Sequence, residues 1–289
     1  MNIVDRKNSY NSNQCWQYDI RLKNLETDLE EFNLNKSETD NLKVSDFELK
    51  FEEKSKIYNE VKKFIEKHEW LGKMSLYPTH IFTARYKGIL AGVVIMDMPN
   101  AFSKMLGEDT KKLERLISRG ACISWSPKNL ASSLIMYSIK WMVKNTEYRL
   151  FTAYSDPEAN EIGTIYQACN FYYLGANFGA GYKYRIRENK WVSDRYFRSR
   201  SVYKKLALEN NIEWKAEYQT GDKVNFDLMP SNVSKQIKDL SKELQNSCEK
   251  IKNLSKGKYA YILGVNKTET KKLKNYFLNN NKTVKYPKR

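Results

Sequence analysis

The chain predicts an α/β fold, a mixed and mostly antiparallel sheet flanked by helices, with a basic C-terminal extension. Three observations carry this. Segments of period two alternate with segments of period 3.6 between residues 46 and 187. A hairpin falls between two helical segments, which a purely parallel sheet would not contain. Apolar residues make up 41% and aromatic residues 13% of the 289, enough to close a core of ordinary density.

The elements follow in order. Residues 1–24 are polar and Asn-rich and read as a mobile arm; residues 25–45 are acidic and read as a weak helix or tether. Asp46–Phe51 alternates apolar and charged residues, a strand pattern. Lys54–Trp70 places Ile57, Val61, Phe64 and Ile65 on one helical face. Thr79–Tyr86 and Ile89–Met98 are strands joined through Lys87-Gly88, a two-residue turn. Lys111–Ser124 ends in a strand near Gly120–Ser124. Ser126-Pro127-Lys128-Asn129 then opens a helix reaching Lys144, with Ser126 or Asn129 available as N-cap. Tyr148–Tyr154 is a strand, Glu158–Cys169 a helix, and Phe171–Gly175 and Tyr182–Arg187 are strands. A short helix at Ser201–Glu209 and a strand at Glu213–Tyr218 come next. Val233–Leu254 reads as one long helix, because Val233, Ile237, Leu240, Leu244, Ile251 and Leu254 recur at helical spacing. Its single apolar stripe suits packing on the domain or a coiled-coil partner, including a second copy in a homodimer. Lys258–Gly264 is a strand, followed by a basic helix and a Lys-Tyr-Pro-Lys-Arg tail.

Composition excludes several classes. No apolar stretch spans a bilayer and the first thirty residues lack an apolar signal core, so a cytoplasmic protein with no membrane association is expected. Cys15, Cys122, Cys169 and Cys248 lie far apart without a CxxC pair, which excludes a zinc finger and fits reduced thiols. With two histidines, His68 and His80, a His-rich metal site is impossible; only a histidine–carboxylate iron site stays open, and nothing else in the sequence supports one.

Fifty Lys+Arg against thirty-four Asp+Glu give a net charge of +16, which favours a polyanionic partner. Glu26–Glu53 holds ten acids and three lysines, whereas Lys190–Lys205 holds six bases and one acid and Val265–Arg289 eight bases and one acid. The expected division is therefore an arm at 1–45, a catalytic core at 46–189, and a basic nucleic-acid-binding extension at 190–289 that includes helix 233–254. Within 190–205, Lys190, Trp191, Arg195, Tyr196, Arg198, Arg200, Lys204 and Lys205 interleave cations for phosphates with rings that stack on unpaired bases.

The helix opening at Asn129, Leu130, Ala131, Ser132 and Ser133 follows a strand, so its amides and dipole form a phosphate seat without glycines. Arg119 stands ready to clamp a phosphate or to order the adjoining loop. Asp156 ends a strand, where open sheets place ligands, and can take up or orient an amine proton. His68, beside Glu69, is a candidate base, substrate contact or metal ligand.

Ser126-Pro127-Lys128-Asn129-Leu130-Ala131-Ser132, Tyr154-Ser155-Asp156-Pro157, Gly163-Thr164-Ile165-Tyr166-Gln167-Ala168 and Phe171-Tyr172-Tyr173-Leu174-Gly175 together resemble the Mom group of phage-encoded GNAT-like proteins. Two departures exist: the general GNAT pyrophosphate loop is absent, as it is in that group, and His68-Glu69-Trp70 stands where members often carry His-Tyr. The resemblance implies a GNAT-like acyltransferase fold and an acetyl-CoA or related acyl-CoA donor. It also implies Tyr166 near the donor's reacting atom, double-stranded DNA as substrate in a host bacterial cytoplasm, and a carbamoylmethyl-type change at adenine N6 that evades restriction. Two other readings remain: a GNAT N-acetyltransferase of a protein or small amine, and a non-catalytic DNA-binding protein on a GNAT scaffold.

Overall fold

Lys87 and Gly88 both adopt positive φ, 48° and 85°, the geometry that lets a two-residue turn match the twist of paired strands. The hairpin they close supplies two neighbouring strands of the main sheet in the structure, a computed structural model that describes all residues except 1, 2, 76, 100, 180, 189 and 289. The last residue of the expected core, 189, and Arg289 of the tail therefore lie outside the described residues.

In chain order the helices are α1 (Ile3–Asn8), α2 (Trp16–Glu31), α3 (Lys36–Asp40), α4 (Lys54–His68), α5 (Leu130–Asn145), α6 (Thr164–Ala168), α7 (Arg200–Glu209), α8 (Ser231–Ser247) and α9 (Lys267–Asn280). The strands are β1 (Glu48–Glu52), β2 (Pro78–Tyr86), β3 (Ile89–Asp97), β4 (Glu114–Cys122), β5 (Leu150–Ser155), β6 (Tyr172–Tyr173), β7 (Tyr182–Arg187), β8 (Lys190–Ser193), β9 (Gln219–Thr220), β10 (Lys223–Val224), β11 (Glu249–Lys252) and β12 (Gly257–Ile262). The chain divides into two compact units, residues 1–178 with 256–289, and residues 179–255.

The first unit is built on a seven-stranded sheet of order β1-β2-β3-β4-β5-β12-β6. Every pairing is antiparallel except β4 with β5. This is the mixed, mostly antiparallel, helix-flanked α/β sheet that the sequence predicts. Phe82 meets Tyr137 and Trp141 of α5, so alternate β2 residues such as Ile81 face the other side, toward α4. Both faces are buried, which explains why Ile89–Asp97 reads as a continuous apolar run.

The parallel pair is short. Glu114–Leu116 pair with Leu150–Thr152, and then β4 runs on beside β3 while β5 runs on beside β12. The two strands part at their carboxyl ends. Glu114 is committed at the closed end of this fork, accepting from the Ser103 amide (2.6 Å), the Ser103 hydroxyl (2.8 Å) and the Thr152 hydroxyl (2.9 Å).

The structure corrects several expectations. Residues 16–31 are a helix fastened to the core: the part before residue 25 is not a mobile arm, and the part from 25 takes the helical alternative rather than that of a tether. Arg21 donates to the carbonyls of Ser124 (2.8 Å) and Ser126. Asp28 is fully buried, accepts from the Ser124 amide (3.2 Å) and pairs with Lys67 (2.7 Å). The helix escapes a hydrophobic-periodicity reading because two of its three buried residues, Asp19 and Asp28, are acidic. Asp28→Ala is expected to lower stability by about 1–3 kcal/mol in chemical denaturation, since it leaves the buried Ser124 amide without its acceptor and removes the partner of the half-exposed Lys67.

The expected border at 189/190 is not where the chain divides, because β12 returns to complete the first sheet between β5 and β6. Helix 233–254 ends at Ser247. Cys248 is extended (φ −81°, ψ 139°), and Glu249–Lys252 pairs antiparallel with β7 in the second unit's β11-β7-β8 sheet. Ile237 packs with Tyr203, Ala207, Tyr218 and Met229, so part of the stripe is used inside this unit. The strand expected at 213–218 is a 3-10 turn, Ala216–Tyr218, before the small β9–β10 hairpin. Among the described residues the four cysteines form no disulfide, and no helix is long and apolar enough to cross a membrane.

Candidate active site

Where β4 and β5 part, two chain ends bring carboxyls together. The first is the end of α4. Glu69 leaves the helix with extended backbone, and Gly72, at φ 58°, turns the chain back. The Glu69 carboxylate accepts from the Gly72 amide (3.1 Å) and lies 4.0 Å from the Arg119 guanidinium. The second is the segment between β5 and α6. Asp156 begins a 3-10 turn, Asn160 takes the left-handed conformation at φ 53°, and Gly163 does so again at φ 67° before α6. Between these two reversals Glu161 points inward. Its carboxylate accepts from the Asp156 amide (3.0 Å) and from the Trp70 indole (3.0 Å).

Both carboxyls are held far from ordinary behaviour. Burial lifts Glu69 from 4.5 to about 7, against the opposing pull of Arg119. Burial also lifts Glu161 to about 7, helped by the negative charges of Asp156 and Glu69. Tyr166 feels the same field: burial first, then Glu161 and Glu69, raise its phenol well above the usual range. Its ring packs against Phe171 (5.4 Å) and Tyr259 (5.2 Å). Carboxyls poised near neutrality beside a protonated phenol can take and return protons at physiological pH.

The nominated residues divide between this cluster and other places. Asp156 and Tyr166 belong to it. Asp156 also caps the Glu158 amide (3.1 Å) and pairs with Lys256 (2.8 Å), so its carboxylate is already engaged. His68 faces the opposite way. It lies 3.6 Å from Asp28 and against Phe64, and burial lowers it to about 4. It fastens α4 to α2 and does not reach the carboxyls. His80 lies against Phe51, Trp141 and Tyr148. Among the described residues no three His, Cys, Asp or Glu side chains converge to hold a metal ion.

Arg119 was expected to clamp a phosphate or to order the adjoining loop; the structure fits the second, with the guanidinium beside the carboxyl cluster. It donates to the Lys73 carbonyl (2.8 Å) and the Ser118 carbonyl (2.7 Å) as it faces Glu69. At the start of α5, Asn129 holds the N-cap position in α conformation, without a side-chain cap. The Leu130 amide donates to Pro127 and the Ser133 amide to Asn129, while the Ser132 hydroxyl turns back to the Asn129 carbonyl (3.1 Å). The amides of Ala131 and Ser132 have no partner among the described residues, so two donors remain for a phosphate.

In the second unit, Arg198 pairs with Asp194, Arg200 with Asp222 (3.4 Å) and Lys205 with Glu209 (3.5 Å). Lys190, Arg195 and Lys204 are exposed without an acidic partner among the described residues, and Trp191 and Tyr196 are partly buried. Arg200, Lys204 and Lys205 border a surface concavity of about 590 Å³.

Sequence reasoning missed Glu161, Trp70 and the role of Glu69. Residue spacing carries no signal for them, because their burial arises from two chain reversals. The one local hint was Asn160 and Gly163, two residues that tolerate positive φ, bracketing Glu161.

A model of the Mom protein family matches residues 56–229. Several solved acetyltransferases are similar in structure. One from Salmonella typhimurium, which modifies the N-terminal serine of ribosomal protein L7/L12, is 12% identical; the match covers 76% of this chain and 98% of that one, with a TM-score of 0.36. One from Bacillus subtilis, in complex with CoA, is 12% identical over 75% of this chain and 97% of that one, with a TM-score of 0.34. An N-acetyltransferase from Staphylococcus aureus Mu50 is 16% identical over 50% and 92%, with a TM-score of 0.32. No curated protein matches the chain.

Proposed function

Because this chain belongs to the Mom protein family, we propose that it is a GNAT-type transferase that modifies DNA at the N6 amine of adenine, with a group of the carbamoylmethyl class. The observation that carries the reading is the pair of carboxyls, buried Glu69 and half-buried Glu161, brought together where β4 and β5 part and both raised toward neutrality.

The adenine amine is a weak nucleophile, since its lone pair is delocalised into the ring. Its reaction needs a base that is ionised at neutral pH and shielded from water. Glu161 fits that role. Trp70 and the Asp156 amide fix its two oxygens, and both are neutral donors that do not neutralise it. Glu69 holds Arg119 in place and, once ionised, keeps Glu161 basic. Tyr166 stays protonated at neutral pH and is the group available to give a proton to a departing atom. Asp156 anchors the segment through Lys256 and Glu158. An acyl-CoA, with its phosphates at the free amides of Ala131 and Ser132, would supply an activated acyl carbon whose direct transfer to N6 releases the CoA thiol and gives an N6-acyl adenine. A carbamoylmethyl product has N6 bonded to a CH2 carbon, so its formation takes an amine nitrogen donor and a bond change beyond acyl transfer. Lys190, Arg195, Lys204 and the rings of Trp191 and Tyr196 are the groups suited to a DNA backbone and an extruded base.

Nucleoside mass spectrometry of DNA from cells making the protein tests this reading. The expected result is a new adenine derivative. Unchanged nucleosides together with acyl-CoA turnover would assign the protein to ordinary N-acetyl transfer. Changing Arg195 and Lys204 to Ala is expected to flatten the salt dependence of DNA binding, each lost phosphate contact removing about 0.9 from the log–log slope.

A further inference from the structure

Lys258 is 8% exposed, and its ammonium has no hydrogen-bond acceptor among the described residues. It lies 5.7 Å from the Tyr154 ring and 5.3 Å from the Phe178 ring. Burial lowers its pKa, which Glu114 opposes. The ammonium keeps access to solvent, and two aromatic faces rather than a carboxylate flank it.

The neighbouring acids do not satisfy it. Register places Lys258 opposite Tyr154, with Ala260 opposite Thr152. Glu114, near Thr152, already accepts from two groups of Ser103 and from Thr152. Asp156, one alternate position further along β5, accepts from Lys256 and the Glu158 amide. Tyr259, the next residue of β12, points to the opposite face, where it meets Tyr166. The helices α5 and α6 are joined on that face, where Cys169 Sγ lies 3.7 Å from the Ser132 carbonyl. Lys258 thus lies across the sheet from the start of α5, and it is two strand residues, about 7 Å, from the level of Asp156.

We propose that Lys258 is an anion seat for the phosphate of the target nucleotide, with Tyr154 and Phe178 framing the ammonium and Lys256 beside it. The inference rests on the DNA-modification reading. An extruded nucleotide brings one phosphate within a nucleotide's length of its base, and such a phosphate supplies the acceptors that the protein withholds. The donor's phosphates are assigned to the other face, so the two anions do not compete.

The test is calorimetry on the full chain, Lys258→Met and Lys258→Arg, with deoxyadenosine 5′-monophosphate, thymidine 5′-monophosphate, deoxyadenosine and CoA. The unaltered chain is expected to favour the adenine monophosphate over its nucleoside by roughly tenfold or more, the scale of one charge-assisted hydrogen bond. Lys258→Met should erase that preference, Lys258→Arg should keep most of it, and CoA affinity should not change. Equal affinity of the unaltered chain for monophosphate and nucleoside overturns the proposal. So does a Lys258→Met protein that keeps the preference, or one that keeps it and loses CoA. Equal, Lys258-dependent binding of the thymidine monophosphate supports the seat while removing the adenine reading. If the Met variant does not fold, the lysine ammonium signals of isotope-labelled unaltered protein decide. The Lys258 signal should shift with the monophosphate and not with the nucleoside; an unmoved signal overturns the seat.

Discussion

Glu161→Gln is expected to slow DNA modification by about 10²–10⁴, the range for loss of a general base, while the fold and DNA affinity persist. Glutamine keeps the shape, but its one carbonyl oxygen can accept from only one of Trp70 and the Asp156 amide and its NH2 faces the other N–H, so the rate is read beside the melting temperature and DNA affinity of the variant. In the unaltered protein the rate should rise with pH through about 7, where Glu161 and Glu69 ionise. Stability should move the other way. The native carboxyls hold their protons more tightly than the unfolded ones, whose value is 4.5. Their contribution is therefore complete below about 4.5 and is lost as pH rises to about 7. Glu161→Gln should remove its share of that slope. Time courses of adenine modification, with unfolding measured between pH 5 and 8, check both. A larger loss from Asp156→Asn than from Glu161→Gln would move the base to Asp156.

Gly163→Ala carries the largest expected effect on stability. A Cβ there would lie 2.4 Å from the Tyr259 ring, and the backbone is left-handed at φ 67°. The ring cannot swing away, because its hydroxyl donates to the Ile162 carbonyl (2.6 Å) and its faces meet Tyr166 and Tyr173. Overpacking and backbone strain together cost on the order of 3 kcal/mol. The melting temperature should fall by roughly 6–12 °C in scanning calorimetry. A Tyr259→Leu background, which opens the space, should recover part of the loss; no recovery would mean that backbone strain alone is responsible.

These residues mark what the sequence allowed to be read. The hairpin was legible because Lys87-Gly88 and the flanking β-branched runs agree locally. The start of α5 was legible because strand, cap signal and helix follow one another. Helix 233–254 was misread because Ile251 and Leu254 continue the apolar spacing of α8 past the point where the helix ends, at extended Cys248. Helix α2 was misread because polar pairing to Ser124, Lys67 and His68 holds it, and polar pairing leaves no periodic trace. The charge division at 189/190 describes the surface, whereas β12 belongs to the first unit through backbone pairing that charge does not report. Asp156 and Tyr166 stood out through a motif. Glu69 and Glu161 become recognisable only when α4 and the β5–α6 segment meet.

The late return of β12 sets an order on biosynthesis. The 101 residues between Ser155 and Gly257 take roughly 5–20 s to leave a ribosome. Throughout that interval β5 has an unpaired edge, and Tyr259 is not yet present to brace Gly163 and Tyr166. A nascent chain in this state exposes a sheet edge that other chains can capture, so its yield should depend on chaperones more than its final stability suggests. The carboxyl cluster lies within the first 166 residues, yet it is among the last parts of the molecule to be assembled.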